Sequence, residues 1–464
     1  MSLVERPAAV DAALYPPTVI PPPQPLPLWR FLPRFVRNPL RSLPQAVYEE
    51  PFLVYRNRGT GLVWVTDPGL VERILLHEHE SFPKTPLERR VLEPTLGQGI
   101  LTSEGPAWRW QRRTAAPLFR HQDLLSHLPA MVGAANAQLA RWGEAPPGSL
   151  QPIDRDMTDA TYEVITHTIL AGGTPDEDRV IKREANRLLA WTSWEVAYGM
   201  LGVPAWVWHP GKAPARQAAA TLRATVLQLV VRRRAERSGG NDLLGRLLAA
   251  RDPDSGQPMA DEQLVDNLLT FLMAGHETTA KALTWTLYLL ARAPEWQDKV
   301  RAEVREVCGD GAIAARHLDG LKTTRMVLKE AMRLYPPVPV MTRMTGRDIE
   351  LGGWRLGKGT MVVIPVFAVH RHRRLWADPD RFDPLRFAPE AEADHLRTQF
   401  MPFGFGPRTC IGMAFAMLEA TAMLATLVRA ARFEWDGRHL PEPISRVTLG
   451  PKGGMPLRVT VARS

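Results

Sequence analysis

The sequence predicts a mainly α chain with a small β region, and two observations point there. Apolar residues recur at helical spacing from about residue 105 to 335. Short β-rich runs lie on both sides of that stretch, at 52–55 and 62–65 before it and at 349–351 and 360–364 after it. Strands contributed from both ends of the chain would share one sheet. Residues 46–464 are therefore expected to fold as a single domain behind an N-terminal arm, residues 1–45.

The arm carries Pro16, Pro17, Pro21, Pro22, Pro23, Pro25 and Pro27, which rule out a continuous helix and suggest an extended segment laid over the body. Trp29, Phe31, Phe35 and Val36 alternate there with Arg30, Arg34 and Arg37. Burial of the aromatics against the body is the expected use, with contact to a membrane surface as the alternative. Residues 52–55 and 62–65 flank a Gly-rich turn and read as a hairpin. Asp67-Pro68 then opens a helix, with Asp67 as its N-cap. Pro204 and Pro210 interrupt the helical stretch. Gly352-Gly353 is a turn between strands, and residues 366–409 are irregular. A last helix runs from near Cys410 to about Arg432, and the tail around Gly450, Pro451, Gly453 and Gly454 reads as a hairpin.

The chain has 464 residues, with 58 Lys+Arg against 49 Asp+Glu and a formal net charge of +9. No basic run is interleaved with aromatics, so a nucleic-acid groove is not expected. A basic patch that docks an acidic protein is the better use of that charge. Only Cys308 and Cys410 are present, too few for a disulfide framework. With no apolar run of membrane-spanning length and no signal-peptide pattern, a cytoplasmic monomer is expected.

Chemistry concentrates in Phe403-Gly404-Phe405-Gly406-Pro407-Arg408-Thr409-Cys410-Ile411-Gly412. The glycines permit tight turns and close backbone approach. A thiolate at the start of a helix is favoured by the dipole and by backbone N–H groups. Arg408 can reach a carboxylate. This segment resembles the heme-binding loop of the cytochrome P-450 superfamily, Phe-x-x-Gly-x-Arg-x-Cys-x-Gly, at all five specified positions: Phe403, Gly406, Arg408, Cys410 and Gly412. The likeness is to the soluble, bacterial type.

The resemblance implies a triangular-prism fold with heme b between a long central helix and the helix after the cysteine loop. It implies Cys410 as the axial iron ligand, with Phe403, Arg408 and Gly412 shaping the loop around the heme. Thiolate ligation pushes electron density onto iron and favours O–O cleavage.

Three further segments fit the family. Ala274-Gly275-His276-Glu277-Thr278 resembles its oxygen-activation motif. The implied roles are support of activated oxygen by Thr278, proton relay from solvent by Glu277, and a locally widened helix at Gly275 beside Ala274. His276 is assigned no role. Glu330 and Arg333 resemble the Glu-x-x-Arg of its salt-bridge core, completed by Arg386 in Pro384-Leu385-Arg386-Phe387. There Leu385 replaces the usual Glu, and Arg381 is a rival third member. Trp108 and Arg112, with Trp-x-x-x-Arg spacing, and Arg343 resemble the groups that meet the heme propionates. Arg109 and Arg113 are expected to face outward.

The expected function is a monooxygenase that inserts one atom of dioxygen into a small hydrophobic substrate. Electrons would come from NAD(P)H through a ferredoxin or flavodoxin-type carrier with its reductase. No iron–sulfur cysteine cluster or nucleotide-binding glycine motif is present, so that carrier is expected to be a separate chain. The rivals are a peroxide-using or electron-free enzyme of the same type, and a heme-binding sensor without turnover. Candidate substrate walls are residues 82–101, Trp191 and Trp194, Leu269 and Met273, residues 338–341, and the turn near Leu449 and Met455.

Overall fold

The computed structural model describes residues 13–56, 61–169, 173–200, 202–236, 242–252 and 255–462. A four-stranded sheet joins the two ends of the chain, in the order Phe52–Arg56, Gly61–Val65, Met361–Ile364, Met341–Met344. The first pair is antiparallel with Phe52 opposite Val65, and Leu62 then runs parallel to Met361. The turn read at 57–60 lies outside the described residues. Asp67 caps the next helix as its sequence suggests, its side chain accepting from Leu70 N at 2.8 Å with Pro68 in the first turn.

Helices fill the middle of the chain. The longest of those described, Asp261–Arg292, has 32 residues, and most of those from Leu264 to Leu290 are buried, the majority of them apolar. A helix with apolar residues on most of its faces must be covered on most of them. This central helix packs against Ile153–Ile169, Lys212–Ala235, Lys322–Leu334 and Met413–Ala430. Asp261 and Glu262 sit in its first turn, where the helix dipole favours negative charge, and Arg292 sits in its last. Just inside its start, Asp266 and Asn267 accept from the backbone N–H groups of Gln98 (2.7 Å) and Ile100 (2.9 Å). Those two bonds fix the loop at 97–103 to the helix.

Two expectations need correction. The arm is extended only at first: Tyr335 Oη donates to Pro17 O at 2.7 Å, and Phe382 N to Leu14 O at 2.9 Å. Leu28–Arg37 then forms a helix, with Pro33 inside it. The dense prolines end at Pro27, and a single internal Pro removes one backbone bond without preventing the turns around it. Trp29 is 68% exposed and Val36 47%, while Phe31 and Phe35 stack and turn inward. The tail does not fold back on itself either. Leu449–Pro451 pairs with Pro443–Ser445, whereas Pro456–Val461 lies between Ser149–Pro152 and Ala431–Glu434. Gly453 and Gly454, at φ of 84° and 87°, swing the chain across to these distant partners.

Candidate active site

A large cavity of about 1080 Å³ runs between the central helix and the cysteine loop. Pockets for small molecules usually hold about 300–1,000 Å³, so there is room for a flat macrocycle with a substrate above it.

The cysteine loop forms one wall. Cys410 N donates to Phe403 O at 2.9 Å, and Gly404 N to Met401 O at 3.1 Å. The loop crosses close over the backbone of Leu75. At Gly406, with φ 73°, a Cβ would lie 2.1 Å from Leu75 O, so no other residue fits. Gly412 immediately precedes the helix Met413–Ala430 and presents its N–H to the Cys410 sulfur. Burial pushes the Cys410 thiol up, opposed by that N–H and by the Arg112 guanidinium. The sulfur itself opens onto the cavity.

Three guanidiniums gather on the same side. Arg408 lies 3.8 Å over the Trp108 ring and donates to Ser103 O at 2.9 Å. Arg343 donates to Thr342 O at 2.7 Å, and Arg112 lines the cavity one helical turn after Trp108. Among the described residues none of the three has an ion-pair partner. Desolvation lowers the pKa of all three, that of Arg408 to about 10. Buried Lys84, lowered by burial to about 8, adds a fourth cation, held 3.6 Å from Glu88. Cations brought out of water without carboxylate partners fit a ligand that carries carboxylates. A free sulfur, unpaired guanidiniums and glycines that allow close backbone approach together suit heme.

The opposite wall is the central helix. Ala274 is open to the cavity, and Gly275, Glu277, Thr278 and Thr279 also line it. The helix keeps α geometry through this turn: Thr278 Oγ1 donates to Ala274 O at 2.8 Å. The widening expected at Gly275 is not seen. A Cβ there would meet Ile165 Cδ1 at 2.7 Å, so the glycine permits close packing of the two helices. Glu277 accepts from Thr448 Oγ1 at 2.8 Å and also borders a second, polar chamber shared with Asp154, Asp159, His276 and Lys281. His276 is buried against Tyr162 with Nδ1 2.7 Å from Leu272 O, and desolvation lowers its pKa.

Glu330 and Arg333 are fully buried, joined by bonds of 2.6 and 2.7 Å. Arg333 also donates to the carbonyls of His370, Pro379 and Arg381, and Asp383 N donates to Glu330. Arg386 Nε lies 3.7 Å from Glu330 Oε1, whereas Arg381 contributes only its backbone carbonyl to the network. Arg109 is on the outer face, paired with Glu80 at 3.2 Å, and Arg113 is exposed.

Of the substrate walls expected, Ile100, Leu101, Met273, Val338, Val340 and Met341 line the cavity. Leu269, Leu449 and Met455 are packed in the core, and Ser445–Thr448 takes the place of the predicted turn. Trp194 does not line the cavity, and the side chain of Trp191 lies outside the described residues. The sequence reading had Lys84 only within the expected wall 82–101, not as a cation of the site, and it missed Thr448 and Glu419. Glu419 had a visible signal, a lone acid inside an otherwise apolar helix.

The chain matches the family model described as Cytochrome P450 over residues 20–457. A cytokinin hydroxylase of Arabidopsis thaliana is 32% identical over 90% of this chain and 83% of that protein. Secologanin synthase 2 of Catharanthus roseus is 30% identical over 84% and 77%. A solved cytochrome P450DA heme domain superposes with TM-score 0.84 and 26% identity, covering 97% of this chain and 99% of that one.

These relatives overturn the expected cytoplasmic location, because they are plant P450 enzymes, a group typically anchored to membranes. The expectation rested on the lack of an apolar run and of a signal-peptide pattern, and neither absence carries a location. Met413–Ala430 is in fact long and apolar enough to cross a membrane, although 67% of it is buried as a core helix. Family match, fold and cavity agree on a resident heme, an organic substrate, dioxygen and a redox partner. The chain belongs to the cytochrome P450 family, the heme-thiolate monooxygenases.

Proposed function

We propose that this protein hydroxylates, or oxidises in a related way, a small hydrophobic substrate, and that Cys410 would hold its heme iron through the sulfur. The observation that carries the reading is the cavity itself. It has a free sulfur on one wall, an acid and an alcohol on the other, and mostly apolar side chains between. When bound, thiolate-ligated heme supplies O–O bond cleavage and the oxidising power that attacks a C–H bond.

The chain's own residues would do the rest. Arg112, Arg343 and Arg408, with Trp108 stacked under Arg408, would hold the propionates by charge-assisted bonds. Phe403, Gly406 and Gly412 shape the backbone that presents the sulfur. Ala274 and Gly275 keep the central helix low over the site. Thr278 offers a hydroxyl to the oxygen side, and Glu277, bordering both the cavity and the polar chamber, passes protons inward. Glu330, Arg333 and Arg386 brace the cysteine loop from below. Ile100, Leu101, Met273, Val338 and Val340 favour an apolar substrate.

The body 46–464 would work as a single catalytic domain and as a monomer, the segment before it lying on its surface. Electrons would come from NAD(P)H through a separate ferredoxin or flavodoxin-type carrier. The exposed arginines Arg109, Arg113 and Arg120 suit the docking of an acidic one.

Reconstitution with a surrogate ferredoxin, its reductase and NADPH tests this reading. The expected result is oxygenated product from apolar ligands, with reduction slowing as salt rises, since exposed charges are screened beyond about 8 Å at physiological ionic strength. Binding without any product would favour a sensor, and product with peroxide alone an electron-free enzyme. Reduction indifferent to salt would reject the arginine face.

A further inference from the structure

Thr279 follows Thr278 on the central helix, and a second carboxyl lies behind it. Glu419 stands in the middle of Met413–Ala430 among Leu418, Ala420, Ala422 and Met423. It is fully buried, and among the described residues neither carboxyl oxygen reaches hydrogen-bond geometry with a donor. Burial pushes its carboxyl up to about 8, and the Thr279 hydroxyl beside it pulls the other way. Thr279 is itself buried and lines the cavity, its hydroxyl held by a long 3.3 Å bond to Gly275 O. Glu419 is not among the residues that line the cavity, whereas the Thr279 beside it is.

An apolar helix interior gains nothing from an acid. An unpaired carboxylate there would be far costlier than a neutral acid, so the group holds its proton. Glu277 is the contrasting case: half-buried, bonded to Thr448 and open to the polar chamber.

We propose that Glu419 and Thr279 form a second, internal proton-holding pair for oxygen activation, with Glu419 a positioning residue that acts on the cavity through the Thr279 hydroxyl. The inference rests on the oxygen-activation reading above. Placing one oxygen atom in a substrate and the other in water consumes two electrons and two protons. Two acid–alcohol pairs, one reached from the polar chamber and one sealed, meet at adjacent threonines. In the step, the Glu419 O–H bond breaks and its proton passes to Thr279 Oγ, while the Thr279 hydroxyl proton goes to the acceptor in the cavity. Glu419 is left as a carboxylate and regains its proton from cavity water along the same path. The electrons come from NAD(P)H through the redox partner.

Difference infrared spectroscopy on the heme-loaded protein tests the pair at rest. A protonated-carboxyl C=O band is expected in the wild type and missing in Glu419→Gln. In Thr279→Val it should move to higher frequency, because the polar hydroxyl beside the carboxyl is replaced by a methyl. A wild type without that band, or a band unmoved in Thr279→Val, overturns the proposal. In turnover, Glu419→Gln should lower product per NADPH by roughly tenfold, less than the ~10²–10⁴ of a primary acid–base group because Glu277 remains. Heme content and melting temperature should stay near wild type. Unchanged coupling also overturns the proposal. If Glu419→Gln does not fold, Thr279→Val against Thr279→Ser gives the same two readouts. The infrared band needs no turnover, so its failure is distinct from a failure of the Thr278 and Glu277 reading.

Discussion

Thr278→Ala is expected to keep consuming NADPH while releasing hydrogen peroxide in place of product. Thr278 lines the cavity, and its hydroxyl now donates to Ala274 O within an intact helix. Alanine is the better helix former, so the fold should hold, and heme and substrate should still bind. What is lost is a hydroxyl that can donate to the oxygen side and hold a water in line with Glu277. Positioned acid–base groups contribute about 10²–10⁴-fold, so product per NADPH should fall by about 10²-fold. Thr278→Ser, which keeps the hydroxyl, should restore most of it. Glu277→Gln should instead slow turnover and enlarge the solvent isotope effect, since the amide can keep its bond to Thr448 but relays no proton. The check is the ratio of product to peroxide to NADPH. Wild-type coupling in Thr278→Ala would remove Thr278 from the relay and leave Thr279 as the alcohol.

Glu330→Ala should cost about 3–5 kcal/mol of stability, because it leaves the Arg333 guanidinium buried and uncompensated. That is a large share of the ~5–15 kcal/mol that holds a typical domain together. Arg333 ties the segment 370–383 to its helix through three carbonyls, and Glu330 takes the Asp383 N–H. Slackening that segment should loosen the nearby cysteine loop, which is bonded to it where Met401 N donates to His370 Nε2 at 2.9 Å. Denaturant unfolding and heme retention are the measurements. A loss under about 1 kcal/mol would show that the network does not brace the loop. Arg386→Ala should cost less, since its contact with Glu330 is a 3.7 Å ion pair.

Much of this was legible in the sequence because it is local. The cysteine loop is a run of residues whose types the backbone path requires, as Gly406 against Leu75 shows. The Asp67 cap and the Gly352-Gly353 turn are local in the same sense. What failed was long-range or balanced between alternatives. The tail strand Pro456–Val461 chose partners some 300 residues away as well as near ones, and no local rule selects them. The helix at Leu28–Arg37 hides behind the prolines before it. The third member of the salt-bridge core could not be read from spacing, because Arg381 meets Arg333 through its carbonyl while Arg386 meets Glu330 through its side chain. Glu419 showed as a lone acid in an apolar helix, but its neighbour Thr279 is on another helix and only folding brings them together.

The central claim is that Cys410 is the thiolate ligand of this heme, and the absorption spectrum of the ferrous–CO complex tests it most directly. The account predicts the red-shifted band of a thiolate-ligated heme in the wild type and its loss in Cys410→His, whose spectrum should turn to the histidine-ligated kind. A histidine-type band in the wild-type protein, or a thiolate band that survives in Cys410→His, would contradict it.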